Sequence, residues 1–163
     1  MLIYLKNKDT LIFNNFKFRC SIGKNGLSNN KVEGDKCTPK GTFKLGPLYY
    51  RKDRNFKVIT KIESKIINKQ MGWCDDDKSK YYNKEIKINK LIKCEKLYRK
   101  SNSYDLFLVI RYNTNKVIPS KGSAIFLHLT KNYKPTAGCI AVKKNDFLVL
   151  LKLLNKKTSI KID

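Results

Sequence analysis

The sequence predicts a mainly β domain of the α+β class, with one or two helices packed on its sheets. Short segments rich in β-branched and aromatic residues, separated by Asn and Asp turn signals, recur through the first two thirds of the chain. One segment, beginning near Asn145 or Asp146 where either residue can cap it, has the apolar spacing of an amphipathic helix. The 163 residues are about one domain's worth, so we expect a single domain over residues 1–163.

The predicted strands follow this pattern in chain order. The opening meander and its continuation are Leu2–Leu5, Thr10–Phe13, Phe16–Ile22, Thr42–Leu45 and Leu48–Tyr50. Residues 51–103 mix Lys and Asn with aromatic residues and are predicted as an elaborated loop with short strands. Two nearly continuous apolar runs indicate strands buried on both faces, and a final strand closes the domain: Asp105–Tyr112, Gly122–Leu129 and Thr158–Ile162.

The charge of the chain first suggests a polyanionic partner. There are 36 Lys+Arg against 13 Asp+Glu, a net charge of +23. Only 5 of the 36 are Arg, the residue on which base-edge and phosphate recognition rely, and the Lys residues are spread along the chain. AT-rich codon usage alone produces such a composition. We therefore predict no specific nucleic-acid partner and keep an anionic cell-wall polymer as an alternative.

Neither a membrane span nor a disulfide framework is expected. No stretch approaches the ~20 apolar residues that a span needs, and the first residues lack the pattern of a secretory signal. Five cysteines, an odd number without a C-x-x-C pair, leave at least one thiol free and argue against a zinc site. Cys74 beside Asp75–Asp77 is a minor metal-binding alternative. Cys94, which has three Lys nearby, is expected to have a lowered pKa if exposed.

The single histidine and one cysteine are the candidates for chemistry. His128 lies near the end of a predicted buried strand, and Cys139 follows eleven residues later, directly after Gly138. A cysteine nucleophile needs a base, and a glycine next to it lets a carbonyl group approach the backbone amides. The residues alone leave two interpretations open: a catalytic pair, or a core histidine and a buried cysteine.

Four motifs resemble the L,D-transpeptidase catalytic domain (YkuD-like), in its single-domain branch. The segments that carry the resemblance, in family order between about Cys20 and Leu154, are Gly34–Phe43 (G-D-x-x-T-P-x-G-x-F), Met71–Asp76 with Tyr82-Asn83, Gly122–His128 and Thr136–Ile140. Two positions depart from the usual pattern. Leu129 follows His128 where the family usually has Gly, and Ala141 stands where Arg is frequent, which removes a charge that could orient a substrate carboxylate.

This resemblance implies a β-sandwich of two mixed sheets and a cysteine acyltransferase acting on peptidoglycan stem peptides or muropeptides, with no metal and no organic cofactor. It assigns Cys139 as the nucleophile that forms a thioester and His128 as its acid–base partner. The carbonyl of Leu129 would orient the imidazole, and amides around Gly138 and Cys139 would form the oxyanion hole.

Three further residues, Trp73, Thr136 and Ser123, are the candidates for the substrate groove, with aromatic packing under a long loop as the alternative for Trp73. The same Cys/His pair could serve a hydrolase, an L,D-carboxypeptidase or amidase, and a non-catalytic basic module binding an anionic polymer is the third alternative. The resemblance implies the cell envelope or periplasm, whereas the N-terminal sequence shows no export signal and leaves the cytoplasm open. We expect a monomer.

Overall fold

The computed structural model describes residues 1–54 and 58–163, and in these ranges the chain forms fourteen strands, one α-helix and two 3-10 turns. The strands are β1 (Leu2–Lys6), β2 (Thr10–Phe13), β3 (Phe16–Ser21), β4 (Leu27–Ser28), β5 (Thr38–Pro39), β6 (Gly41–Tyr50), β7 (Ser64–Ile66), β8 (Met71–Cys74), β9 (Glu85–Lys87), β10 (Cys94–Lys96), β11 (Leu106–Ile110), β12 (Phe126–Leu129), β13 (Ile140–Val142) and β14 (Ser159–Ile162). The helix α1 spans Lys144–Leu153, and the 3-10 turns are Lys52–Arg54 and Asn102–Tyr104. The predicted mainly β class with a helix is confirmed.

The main sheet closes on itself. Its nine strands follow the order β11-β12-β13-β3-β2-β1-β14-β6-β7, and an additional pairing of β11 with β6 joins eight of them into a barrel-like ring. Parallel pairs, such as β1 with β14 and β12 with β13, stand beside antiparallel ones, so the sheet is mixed. The expected sandwich of two sheets is therefore corrected to a ring, because β6 pairs with both halves and connects them.

Strand β6 is one element where the sequence predicts two. Its residues 41–44 pair with β14, and from Leu45 onward it pairs with β11. The register with β11 shifts between Leu45 and Leu48, and Gly46 and Pro47 lie at this irregularity. Because proline has no backbone N–H to give to a ladder, it is tolerated at such an irregularity. The Gly-Pro pair thus marks a shift of register, not the end of a strand.

Two other predicted boundaries are also corrected. Strand β12 begins at Phe126, not at Gly122, because Gly122 and Ala124 have φ of 97° and 51°, outside the β region. Lys143 occupies the N-cap position of α1 without a side-chain capping hydrogen bond. Asp146 lies in the first turn, where its carboxylate interacts favourably with the helix dipole.

The faces of β11 divide the core into two clusters. Leu106, Leu108 and Ile110 point into the ring, where the first cluster also receives the buried face of α1. The alternate residues Phe107 and Val109 point outward into a second, mainly aromatic cluster that includes residues from the small sheet β10-β8-β9. Both faces of the strand are therefore buried, as the continuous apolar run predicts. In the described ranges, no helix combines the length and apolar character that crossing a membrane requires.

Candidate active site

The candidate site lies on the outer face of the ring, where β12 and β13 run in parallel. The register pairs His128 with Ala141, so both side chains project to the same face. Cys139 precedes Ala141 by two residues, so its side chain projects to the same face. His128, Cys139 and Ala141 all line one cavity of about 1260 Å³. The ring thus brings the two candidate catalytic residues to a common opening.

The imidazole of His128 is held in one tautomer by the backbone. Its Nδ1 lies 2.9 Å from the carbonyl oxygen of Leu129. Because a carbonyl can only accept, Nδ1 carries the proton and Nε2 keeps its lone pair. Burial lowers the pKa of His128 to about 4, the Arg99 guanidinium acts in the same direction, and the Leu129 carbonyl opposes both. The ring is consequently a neutral base at physiological pH.

The thiol of Cys139 is buried and has two backbone partners. It donates to the Ala124 carbonyl at 3.2 Å and accepts the Phe126 N–H at 3.4 Å. Burial raises the pKa of Cys139 to about 12, and the charge of Glu95 adds to this, whereas the Phe126 amide and the Arg99 guanidinium favour the thiolate. In the resting state the sulfur is therefore a neutral thiol, not one half of a thiolate–imidazolium pair.

The turn that carries Cys139 is fixed by two threonines. Thr136 Oγ1 accepts the Gly138 N–H at 3.1 Å and donates to the Cys139 carbonyl at 2.6 Å. Thr38 Oγ1 donates to the Gly138 carbonyl at 2.8 Å and accepts the Gly23 N–H. Of the two amides predicted for an oxyanion hole, that of Gly138 is engaged by Thr136, and that of Cys139 is the other candidate. Thr136, which also lines the cavity, organises this turn.

Gly138 is required at its position. Its φ is 139°, and a β-carbon there would lie 2.9 Å from the backbone carbonyl oxygen of Cys37. A side chain would have to displace backbone, which is costly. Cys37 and Thr38, both in the Gly34–Phe43 motif, therefore support the turn that carries Cys139.

That motif is itself held by a partly buried ion pair. Lys31 is only 4% exposed, and its Nζ lies 2.6 Å from Asp35 Oδ1. The Asp35 carboxylate also accepts the amides of Val32 and Cys37, at 2.9 and 2.8 Å. Although burial alone would raise the pKa of Asp35, the Lys31 ammonium and these two amides lower it. The Asp35 carboxylate is thus ionised and is held by three hydrogen bonds, from Lys31 and from the amides of Val32 and Cys37.

Three residues that sequence reasoning missed complete the wall beside His128. The Tyr104 ring packs 5.4 Å from the imidazole, and its hydroxyl donates to Glu95 at 2.7 Å. Arg99 pairs with Glu95 and stacks over the Tyr104 ring at 3.8 Å. The signal in the sequence is indirect. Tyr104 precedes β11, in which Phe107 is the register partner of His128, and only the fold reveals this proximity.

Two predicted groove residues have different surroundings. Ser123 lines the cavity and donates to Glu33 at 2.7 Å. Trp73 is 6% exposed and does not line it; its ring packs against Phe126 and its Nε1 donates to Asn83 at 2.9 Å. The prediction that Trp73 forms the groove is corrected, because the small sheet turns this ring inward into the second cluster.

The comparison with known families fits this geometry. A family model described as the L,D-transpeptidase catalytic domain, YkuD, matches residues 1–162. The chain belongs to the YkuD family. No curated protein matches it. Among solved structures, Bdellovibrio bacteriovorus Bd1075 is similar with a TM-score of 0.49 and 14% identity, over 99% of this chain and 47% of that one. The chain thus spans about half the length of that structure.

In this YkuD domain, the cavity wall carries an excess of positive charge. Ala141 faces the cavity without charge, yet seven Lys and Arg side chains line it against four Asp and Glu. These cations come from other segments, among them Lys31, Arg54 and Arg99. Over the described residues, no group of three or more His, Cys, Asp or Glu side chains is arranged to hold a metal ion.

Proposed function

We propose that this chain is an L,D-transpeptidase-like acyltransferase that acts on peptidoglycan stem peptides, with Cys139 as nucleophile and His128 as acid–base. The observation that carries the proposal is the shared cavity, in which a neutral imidazole with a free Nε2 and a thiol open to the same space. The family supports the reaction class.

The first half-reaction begins from two neutral groups. The Cys139 sulfur forms a bond to the carbonyl carbon that precedes a D-amino acid, while the thiol proton moves to His128 Nε2. The Cys139 amide stabilises the oxyanion. When the intermediate collapses, the C–N bond breaks and the imidazolium returns its proton to the leaving amine. The products are a thioester on Cys139 and a free D-amino acid.

The second half-reaction reverses these roles. An incoming amine attacks the thioester carbonyl and gives a proton to His128, which transfers it to the departing sulfur. The cationic excess of the cavity wall suits substrates with several carboxylates, as stem peptides have. Lys and Arg from other elements would thereby supply charge that position 141 does not.

Covalent labelling tests the nucleophile. A carbapenem should add its full mass to the wild-type chain, because the β-lactam ring opens without a leaving group, and peptide mapping should locate it on Cys139. Cys139→Ala should give no adduct. Cys37→Ser, which removes a half-buried thiol elsewhere, should keep it. An adduct on Cys139→Ala at the wild-type rate would refute the assignment.

Product analysis tests the acceptor. A stem tetrapeptide incubated with an amine acceptor should yield the cross-linked product, and His128→Gln should lose at least about a hundredfold in rate. Formation of only the tripeptide acid, unchanged by the acceptor amine, would instead identify a carboxypeptidase with the same Cys/His pair.

A further inference from the structure

The small sheet places two cysteines directly opposite each other. Cys74 is the last residue of β8 and Cys94 is the first of β10, and the antiparallel register pairs these two residues. Residues that face each other across two strands project to the same side of the sheet. The two cysteine side chains are therefore neighbours on the same face of the small sheet.

The backbone hydrogen bonds define which kind of pair this is. Cys74 directs its N–H to Lys84 at 2.9 Å, and its carbonyl accepts the Asn83 N–H at 2.9 Å, so both groups point away from β10. Cys74 and Cys94 are thus a non-hydrogen-bonded pair. Such pairs have Cα atoms about 4.5 Å apart, the closer of the two antiparallel spacings, and disulfides span about 4.4–6.8 Å between Cα atoms. The backbone needs no movement to accept a bridge.

The neighbouring positions leave room for the sulfur to turn. Gly72, two residues before Cys74, shares the face, and a β-carbon on it would lie 2.9 Å from Cys94 Sγ. The Cys94 sulfur therefore occupies the space that a side chain at residue 72 would fill. Rotation about its Cα–Cβ bond carries it from Gly72 towards Cys74. Cys94 is half-buried, so a small reagent can reach it, whereas Cys74 is fully buried.

Cys94, the more accessible of the two, is not a fast-reacting thiol. Burial raises the pKa of Cys94, and the nearby Asp75 and Cys74 act in the same direction against Lys96. The expectation of a lowered pKa from the surrounding lysines is corrected, because Cys94 is shielded by the sheet. A disulfide between Cys74 and Cys94 would therefore form slowly. Once formed, it would be shielded from attack by reducing thiols.

We propose that Cys74 and Cys94 are a dithiol site that forms a cross-strand disulfide with a low-molecular-weight disulfide as oxidant. The Cys94 thiolate attacks the oxidant, which releases one thiol and leaves a mixed disulfide. The Cys74 thiolate then attacks the Cys94 sulfur and releases the second thiol. Overall, one reagent disulfide is reduced to two thiols and the protein dithiol is oxidised.

The bridge would stabilise one wall of the cavity. It encloses the nineteen residues between its ends, and the strands it joins lie next to Asp75 and Glu95, both of which line the cavity. Closing a loop of about this length raises the melting temperature by up to about 10 °C in a chain of this size. The bridge leaves the sulfur of Cys139 untouched, so its formation is independent of the proposed catalysis.

Thiol counting tests the site. The full chain is equilibrated with oxidised and reduced glutathione at a series of ratios, denatured in acid and alkylated. Under reducing conditions five alkyl groups are expected, and under oxidising conditions three, with one peptide pair cross-linked through residues 74 and 94. Under oxidising conditions, Cys94→Ser should still take up four alkyl groups, because all four of its thiols stay reduced. Cys37→Ser, which also has four thiols, should take up only two.

Three results would overturn the proposal. They are an unchanged count of five across the series, a cross-link that involves another cysteine, and glutathione retained on Cys94 with no ring closure. The mapping uses the wild-type chain, so it remains decisive if a variant fails to fold. Carbapenem labelling of Cys139 in native portions taken before denaturation tests the proposed function separately.

Discussion

The thiol of Cys139 donates to the carbonyl oxygen of Ala124, 3.2 Å away, and Ala124 has a φ of 51°. That left-handed conformation is uncommon for a residue with a side chain. The Ala124 N–H donates to Asn83 Oδ1 at 3.0 Å, which helps to hold the peptide in place. The resting position of the sulfur thus depends on Asn83, in the segment that connects β8 and β9. In the proposed mechanism, this neutral thiol passes its proton to His128 before or during attack.

The first prediction concerns the pH dependence of acylation. Because the pKa of His128 is lowered to about 4, the imidazole is neutral and available as a base above that pH. The rate of carbapenem adduct formation should change little between about pH 5.5 and 7, and should fall about tenfold per unit below about pH 4. Intact mass measured over time at each pH gives the rate.

His128→Gln is the control for this profile. Its slow residual reaction should lack the acidic limb, since no group titrates in that range at position 128. A wild-type rate that already halves near pH 6.5, the value of an unperturbed histidine, would contradict the role of burial at this site.

The second prediction uses the opposed charges of Glu95 and Arg99. The Glu95 carboxylate raises the pKa of Cys139 and the Arg99 guanidinium lowers it. Glu95→Gln should therefore speed alkylation of Cys139 by iodoacetamide at pH 8, and Arg99→Gln should slow it, each by about threefold or more. Peptide mass spectrometry of Cys139 over time measures both rates. Two changes in the same direction would indicate altered access to the sulfur and would contradict an electrostatic cause.

Sequence reasoning predicts the elements of this site better than their arrangement. The run Leu106–Ile110 is apolar throughout, which indicates burial on both faces, and the structure agrees. The sequence leaves two alternatives for Trp73, a groove wall or aromatic packing, because the choice depends on how the small sheet packs on the ring. The contact of Tyr104 with His128 depends on the register of β11 and β12, which no local pattern encodes. Local chemistry specifies the strands, and long-range pairing decides which side chains meet.

The third prediction concerns the glycine before the nucleophile. Gly138→Ala would bring a β-carbon to 2.9 Å from the Cys37 carbonyl oxygen at a φ of 139°. We expect a loss of at least about 2 kcal/mol in the free energy of unfolding. Gly26→Ala is the matched control, because Gly26 also has a positive φ, 81°, but nothing lies within 4 Å of its β-carbon position. It should cost about 1 kcal/mol. Urea denaturation measures both, and equal losses would show that the contact with Cys37 is unimportant.

The fourth prediction concerns Asn83, which is 3% exposed and uses its whole amide. Its Oδ1 accepts from Trp73 and Ala124, and its Nδ2 donates to the carbonyls of Tyr112 and Asn113. Asn83→Ala should lower the free energy of unfolding by about 2–4 kcal/mol, because it leaves several buried groups without partners.

Asn89 provides the comparison for Asn83 in the same part of the chain. It is exposed, and its side chain accepts only a local bond from the Leu91 N–H at 2.9 Å. Asn89→Ala should change the free energy of unfolding by less than about 0.5 kcal/mol. Chemical denaturation followed by tryptophan fluorescence reports both variants, since Trp73 is the only tryptophan. A small effect at Asn83 would show that water replaces the lost bonds.

The bond from Thr38 to the Gly138 carbonyl joins residues that are 100 positions apart. A partly folded chain contains Cys139 but has no turn to shield it, so its sulfur is accessible and ionises like that of an ordinary thiol. Alkylation of Cys139 during refolding should therefore slow when these two segments come together, because burial then raises the pKa of the thiol to about 12. The contact between the residues furthest apart in sequence thus makes Cys139 a probe of folding that needs no substrate.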